Sequence, residues 1–171
     1  MKNTDKSILL FLLTISMTIF SSCVKDNNDN LRTLEMEMEE LDSYLSDLVS
    51  EGYDVDTSDL GIYYILESEG EGPLAQMGDT LSLEYTGYLL DGRVFDASSF
   101  HYSDSIWEFV FIENQLIAGF SEGISLMNKG AEINMIIPSE LAYGPFGYGP
   151  IGPYTTLVFV TKLHDIKPGT D

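Results

Sequence analysis

The spacing of apolar positions changes near residue 52, and this change divides the chain into a helical part and a sheet-forming part. Apolar residues before that point recur at every third or fourth position, at Leu31, Leu34, Met38, Leu41, Leu45 and Leu48. Residues with this spacing share one face of a helix, so the pattern predicts an amphipathic helix over 31–52. Acidic side chains between them, Glu37 included, are predicted to face water, and Gly52 is predicted to end the helix.

Three uses of this helix remain open from the sequence. It can dock on its own domain or space that domain from a membrane, pair with a second copy as a homodimer through residues 31–48, or capture another partner. The stripe covers about two and a half heptads, which is short for an independent coiled coil. Docking or spacing is therefore the favoured interpretation.

Beyond residue 52 apolar and polar residues alternate, which predicts half-buried β-strands. The predicted strands are 62–67, 80–88, 106–111, 131–137 and 156–163. The last is apolar on both faces and is predicted to lie in the centre of its sheet. Turn residues follow the first strand at 69–73, and Asp91-Gly92 predicts a hairpin turn.

One short helix is predicted among these strands, at 117–127, because its apolar residues are again three and four positions apart. Strands that outnumber helices in this way indicate an α+β fold, an antiparallel sheet curled over one helix. A long segment rich in Gly, Pro and aromatic residues, 141–154, cannot form a regular element. Loops of this length are usually functional, so it is predicted to form a lid over a binding site.

The charge of the chain restricts its partners. The 171 residues carry 28 acidic and 8 basic side chains, a formal net charge of −20. A nucleic-acid partner is excluded, because capture of a phosphate backbone requires clustered Lys and Arg. The two histidines, His101 and His164, are too far apart in sequence to suggest a metal site, and no phosphate-binding loop or nucleophile motif is present. No cofactor and no metal is predicted.

The first thirty residues resemble an export signal. An uncharged run, 8–20, follows Lys2 and Lys6, and it is shorter than the roughly 20 residues that cross a bilayer. The sequence Phe-Ser-Ser-Cys ending at Cys23 resembles a bacterial lipoprotein signal, which implies removal of residues 1–22 and lipidation of Cys23. Residues 23–30 are predicted to form a flexible tether. An ordinary secretory signal is the alternative, and the single cysteine excludes an intramolecular disulfide in either case.

Five short motifs in the second part of the chain resemble one known family. They are Tyr85-Thr86-Gly87, Asp91-Gly92 with Phe95-Asp96, Gln115 to Phe120, Ala142-Tyr143-Gly144 and Thr156 to Phe159. Their order and spacing over 61–166 resemble FKBP-type peptidyl-prolyl cis-trans isomerases. The resemblance implies an isomerase domain at 53–171, built as an antiparallel half-barrel sheet around one short helix.

The resemblance also implies which residues form the site. Tyr85, Asp96 and Tyr143 correspond to the catalytic positions. The substrate-binding positions correspond to Phe95, Trp107, Phe109, Leu116, Ile117, Phe120, Tyr148, Ile151 and Phe159. Phe120 would form the floor beneath the proline, where the family most often has Trp, and this implies a looser pocket and weaker binding of the family's macrolide inhibitors. Tyr148 stands where many members have His.

The implied activity is rotation about X–Pro bonds in proline-containing segments of client proteins. The lipoprotein-like signal implies a location in the cell envelope, with a lipid anchor in a membrane; the outer membrane is favoured and its side is left open. Two alternatives remain: a non-catalytic FKBP-fold chaperone or binding lipoprotein, and a surface lipoprotein whose acidic helix serves adhesion or assembly.

Overall fold

The computed structural model describes residues 32–169, which contain two α-helices and nine β-strands. Helix α1 (Leu34–Glu51) comes first and helix α2 (Ala118–Ser125) follows the sixth strand. The strands are β1 (Asp56–Thr57), β2 (Tyr63–Ser68), β3 (Glu71–Leu74), β4 (Thr80–Leu89), β5 (Val94–Ala97), β6 (Trp107–Val110), β7 (Asn128–Lys129), β8 (Glu132–Ile137) and β9 (Leu157–Lys167). The expected signal at 1–22, the lipidation site Cys23 and the tether 23–30 lie outside the described residues. No helix within 32–169 is both long and apolar enough to cross a membrane.

The larger sheet is antiparallel, and its strand order is β1-β2-β8-β9-β4-β5, with β6 also paired to β4. Strand β9 lies between β8 and β4 and pairs with both along most of its length. Phe159 therefore sits between Met135 on β8 and Gly87 on β4. The predicted central position of this strand is confirmed, and its physical reason is that residues on both of its faces are buried.

The outer edge of β4 is shared by two strands. Trp107 on β6 pairs with Leu83, and Asp96 on β5 pairs with Gly87, so Tyr85 falls in the gap between them. The buried hydroxyl of Ser98 fills this gap: it accepts from the Tyr85 N–H at 3.1 Å and donates to the Tyr85 carbonyl at 3.3 Å. The arrangement brings side chains from β5 and β6 to either side of Tyr85.

Helix α2 packs closely against the concave face of the sheet because two glycines face β8. A Cβ atom on Gly119 would lie 2.3 Å from Cγ2 of Ile137, and one on Gly123 would lie 2.3 Å from Sδ of Met135. The helix and this face enclose the main core, which contains Leu81, Leu83, Phe111, Ile124, Ile133, Met135, Ile137 and Leu163. The close approach fixes the N-terminus of α2 at one end of the sheet.

Helix α1 packs on the opposite face of the sheet, where Leu41 contacts Ile136 and Val158. The predicted apolar stripe is only partly correct, since Leu34 and Met38 remain 49% and 56% exposed. The prediction that Glu37 faces water is wrong, because Glu37 is only 2% exposed. Glu37 lies on the buried face of the helix, because its carboxylate accepts hydrogen bonds from the Ser139 N–H and the Thr156 hydroxyl.

The five predicted strands and the second helix are confirmed, with ends that differ by a few residues. The hairpin turn is also present: Gly92 has φ of 83°, and its N–H donates to the Leu89 carbonyl at 2.9 Å. Part of the predicted turn at 69–73 instead belongs to β3, which pairs with β7 in a separate two-stranded sheet. The four residues of β3 are all exposed, so no alternation marked them as a strand.

Candidate active site

A cavity of about 560 Å³ opens between the concave face of the sheet, the N-terminus of α2 and the loop after β8. Its walls contain Tyr85, Asp96, Trp107, Gln115, Leu116, Ile117, Ala118, Phe120, Ala142, Tyr143 and Phe159. Eight of the twelve residues expected at the site are among these eleven. The fold therefore collects side chains from β4, β5, β6, α2, β9 and the long loop around one apolar space.

The floor of the cavity is aromatic. Phe120, in the first turn of α2, is 4% exposed, and its ring centre lies 4.5 Å from that of Phe159. Tyr85 stands edge-on to Phe120 at 5.9 Å and edge-on to Trp107 at the same distance. Edge-on contacts of this kind hold rings in fixed orientations. A ligand entering the cavity would exchange water for three or four aromatic faces.

One carboxylate lies at the edge of this apolar space. Oδ2 of Asp96 accepts from the Tyr85 hydroxyl at 2.8 Å. Oδ1 accepts from the Ala97 N–H at 2.9 Å and contacts Nε2 of His101 at 2.8 Å. A carboxylate only accepts, so the His101 nitrogen that faces it carries the proton. Three donors thus hold the Asp96 side chain in one orientation.

Both tyrosine hydroxyls of the cavity keep their protons at neutral pH. Burial raises the pKa of Tyr85 far above its ordinary value, and the hydrogen bond to Asp96 raises it further. Burial also raises the pKa of Tyr143, with smaller contributions from Tyr148 and from the negative charge of Asp96. Each hydroxyl is therefore a hydrogen-bond donor over the whole physiological range.

The structure places the other four expected residues behind or beside the cavity. Phe109 is stacked on Trp107 at 4.0 Å, and Phe95 stands edge-on to Phe159 at 5.4 Å. Ile151 is buried in the main core. Tyr148 is 69% exposed and stacks on Tyr143 at 5.2 Å. Phe95, Phe109 and Tyr148 thus contact aromatic rings of the wall, and Ile151 belongs to the buried cluster that contains Phe120 and Phe159. The direct role of these four residues in binding stays a prediction.

The sequence assigns no site role to four residues that lie at or near the cavity. Gln115 and Ala118 lie inside a motif that was recognised, yet only their neighbours were assigned to the pocket. Ala142 directly precedes Tyr143 and lines the same wall. His101 reaches Asp96 from the segment between β5 and β6, and its position five residues later was the only available signal.

Comparison with known proteins identifies the family. The model of the FKBP-type peptidyl-prolyl cis-trans isomerase family matches residues 72–164, more than half of the chain. The chain belongs to this family.

Curated relatives agree with this assignment. The chain is 37% identical over 123 residues to a probable FKBP-type peptidyl-prolyl cis-trans isomerase of Haemophilus influenzae, covering 71% of this chain and 49% of the relative. It is 38% identical over 114 residues to FkpA of Escherichia coli, covering 67% and 41% of the two chains. A third relative, outer membrane protein MIP of Legionella longbeachae, is 37% identical over 108 residues, or 63% and 45% of the two chains. The chain spans about half the length of the curated relatives it matches.

Solved structures show the same fold. The crystal structure of FkpA from Escherichia coli aligns with a TM-score of 0.67 at 34% identity, covering 78% of this chain and 60% of that one. A peptidyl-prolyl cis-trans isomerase from Pseudomonas syringae aligns with a TM-score of 0.65 at 26% identity, covering 80% and 97%. The α+β half-barrel expected from the sequence is thereby confirmed.

Proposed function

We propose that the domain is a peptidyl-prolyl cis-trans isomerase acting on exposed proline-containing segments of client proteins. The observation that carries the proposal is the cavity itself, an aromatic space above Phe120 with the Tyr85–Asp96 pair at its edge. Membership of the isomerase family supports the same reaction. The activity, the substrate and the partners of the whole protein are inferences from these two observations.

The reaction requires no nucleophile and no cofactor. Rotation about an X–Pro bond is opposed by about 18–20 kcal/mol of amide resonance, and no covalent bond breaks. The planar amide is more dipolar than the twisted transition state, because resonance places negative charge on oxygen and positive charge on nitrogen. A pocket that removes water from the amide therefore favours the twisted form. Each 1.36 kcal/mol of preferential stabilisation accelerates rotation about tenfold.

The wall residues supply this environment in different ways. The rings of Phe120, Phe159 and Trp107 surround the prolyl ring and exclude water. The Ile117 N–H and the Tyr143 hydroxyl donate to carbonyl groups of the substrate and hold its backbone in place. The Tyr85 hydroxyl donates a hydrogen bond to Asp96, so the Asp96 carboxylate provides a fixed negative charge beside the rotating amide.

We further propose that the protein is exported and anchored by lipid on Cys23 after removal of residues 1–22. The anchor would hold the domain in the cell envelope, at the outer membrane, on a tether formed by residues 23–30. The signal-like sequence that ends at Cys23 supports this location, and one relative bears the name outer membrane protein. Labelling with a radioactive fatty acid tests the anchor: incorporation should occur in the parent and be abolished by Cys23→Ser.

A binding module that lacks catalysis is the second candidate. Phe146 and Tyr148 project from the loop beside the cavity and are 90% and 69% exposed. Exposed aromatic rings of this kind can bind apolar segments of unfolded chains.

The exposed side of helix α1 is a candidate surface for a homodimer through residues 31–48. In that stretch Leu41, Leu45 and Leu48 already pack against the domain, which leaves Leu34 and Met38 for such a contact.

The deciding experiment measures cis-to-trans relaxation of an Ala-Leu-Pro-Phe-type peptide with purified residues 24–171. Acceleration proportional to protein concentration and lost in Phe95→Ala supports the isomerase. A folded sample that does not accelerate relaxation, yet suppresses aggregation of an unfolded client, supports the binding module. Sedimentation of the same sample gives its oligomeric state.

A further inference from the structure

The carboxylate of Glu37 on helix α1 is buried in the domain. It accepts from the Ser139 N–H at 2.7 Å and from the Thr156 hydroxyl at 2.8 Å, and the Ser139 hydroxyl donates to its other oxygen. Burying a polar group is costly unless it is hydrogen-bonded, and these three donors give both oxygens of Glu37 a partner. Ser139 and Thr156 therefore form a specific binding socket for the Glu37 side chain.

The two residues of the socket lie at opposite ends of the loop that borders the cavity. Ser139 begins the 3₁₀ helix Ser139–Leu141, just after β8, and Thr156 immediately precedes β9. Tyr143 lies between them and lines the cavity. One carboxylate thus joins the start of the loop to its end.

A second contact, from Arg32 just before α1, reaches the loop near its end, two residues before Thr156. Nε of Arg32 donates to the Tyr154 carbonyl at 2.7 Å. The Tyr154 N–H donates to the Gly144 carbonyl at 2.8 Å, and the Gly144 N–H donates to the Ser139 carbonyl at 2.8 Å. These bonds form a continuous series from Arg32 through Tyr154 and Gly144, the residue that follows Tyr143, to Ser139, which also binds Glu37.

We propose that Glu37 is a positioning residue of the isomerase site, and that helix α1 acts through it to set the place of Tyr143. This inference rests on the proposed function. Apolar packing of Leu41 holds the helix on the sheet but is not directional. Hydrogen bonds to a buried carboxylate fix angles as well as distances, and misplacement of a substrate-binding group by about 1 Å can lower a rate substantially.

The test compares Glu37→Gln with Glu35→Gln in the chain that begins at residue 23 or 24. Glu35 lies in the same first turn of α1 and is exposed, so it matches the interaction of Glu37 with the helix dipole but not its socket. Glutamine has the shape of glutamate, but its NH₂ group takes the place of Oε2 and donates to the Ser139 hydroxyl, so this bond reverses direction and the bonds from the Ser139 N–H and the Thr156 hydroxyl lose the carboxylate as their acceptor. We expect kcat/KM to fall about tenfold in Glu37→Gln and to be unchanged in Glu35→Gln.

A double-variant cycle distinguishes positioning from general loss of stability. If Glu37 acts through Tyr143, then Glu37→Gln should reduce kcat/KM by less than about twofold when Tyr143 is already Phe. Amide hydrogen exchange at Gly144 and Tyr154 should accelerate in Glu37→Gln, at a temperature where the rest of the sheet stays protected. Equal losses in the two backgrounds, or unchanged kcat/KM in the folded variant, would overturn the proposal.

A second variant, Thr156→Val, tests the same hydrogen bonds without changing Glu37. If Glu37→Gln does not fold, Thr156→Val removes one donor and keeps the Ser139 contacts, and it should still lower kcat/KM about threefold. No change in that variant overturns the inference. If the parent protein lacks isomerase activity, the proposed function fails, while unchanged exchange at Gly144 and Tyr154 in Glu37→Gln would separately exclude the role of the socket.

Discussion

The hydroxyl of Tyr85 donates to Asp96 across the gap in the edge of β4, at 2.8 Å. The bond links the side chain of a buried strand to a carboxylate that is also held by Ala97 and His101. Because all three donors come from the protein, the charge of Asp96 needs little reorganisation when a substrate binds. A preorganised charge of this kind is more effective in a site that excludes water than a mobile one.

Removing this charge should lower isomerisation strongly. We expect Asp96→Ala to reduce kcat/KM about tenfold to a hundredfold while the domain stays folded, because the side chain lies at the edge of the cavity. Asp91→Ala is the matched control, since Asp91 is exposed in the β4–β5 turn and its carboxylate accepts hydrogen bonds from Arg93. The coupled peptide assay and circular dichroism measure the two effects. Full turnover in both Asp96→Ala and Phe95→Ala would discard the assigned site.

The raised pKa of Tyr85 predicts a loss of stability in alkali. The folded state favours the protonated phenol, because burial and Asp96 disfavour the phenolate. The stabilisation is complete below the unfolded value near 10 and is lost as the pH rises above it toward the folded value. Urea unfolding at neutral pH and at about pH 11 should show a smaller decrease in Tyr85→Phe than in the parent. Tyr53→Phe, at an exposed position, should behave like the parent, and equal decreases in all three would contradict this assignment.

A larger floor should tighten the pocket. Trp at position 120 adds apolar surface beneath the ligand, and the cavity of about 560 Å³ above it has room. We expect Phe120→Trp to strengthen binding of a macrolide inhibitor several-fold, consistent with about 1 kcal/mol from the added apolar contact. Calorimetric titration measures it, with Phe146→Trp on the exposed rim as control. Weaker binding by a folded Phe120→Trp protein would show that the ring overfills the site.

The two glycines of α2 should differ in their tolerance of a methyl group. Gly119→Ala places Cβ against the stiff branched side chain of Ile137, and we expect it to lower the free energy of unfolding by about 1–3 kcal/mol. Gly123→Ala meets the flexible thioether of Met135, so its cost should be smaller and partly offset by the higher helix propensity of Ala. Urea unfolding compares the pair. Equal effects would mean that the sheet yields to both.

The contribution of α1 docking to stability should be measurable by substituting Leu41, the buried leucine of this helix. Leu41→Ala removes a buried side chain from between Ile136 and Val158 and should cost about 2–3 kcal/mol of unfolding free energy. Leu34→Ala, on the exposed side of the same helix, should change it by less than about 0.5 kcal/mol. Thermal and urea unfolding give both values. A larger effect at Leu34 would indicate that the helix binds another surface.

The sequence predicts the sheet best where a strand buries one face. Strands β4 and β8 carry alternating or continuous apolar residues and were located closely, whereas β1 and β7 have two residues each and offer no periodicity. Their pairing depends on neighbours distant in the chain. Local pattern alone cannot detect such elements.

The sequence predicts a catalytic residue only where that residue lies within one of the family motifs. Tyr85, Asp96 and Tyr143 fall in recognised motifs, and the fold brings all three to one cavity. Glu37 could not be assigned from the sequence, since an acid on an amphipathic helix ordinarily faces solvent. Its partners Ser139 and Thr156 lie 102 and 119 residues away. Only the tertiary structure reveals that this acidic side chain is buried.

The position of β9 also determines when the protein can fold. Strands β1, β2 and β8 form one half of the larger sheet and β4, β5 and β6 form the other, and β9 joins the halves. During synthesis, the middle of the sheet is therefore missing until residues 157–167 have emerged, and the edges of β8 and β4 stay unpaired. Open edges of this kind invite pairing with other chains. The incomplete domain is therefore prone to associate with other chains until β9 has been synthesised. Because β9 pairs with strands distant in sequence, folding of the complete domain is expected to take roughly milliseconds to seconds.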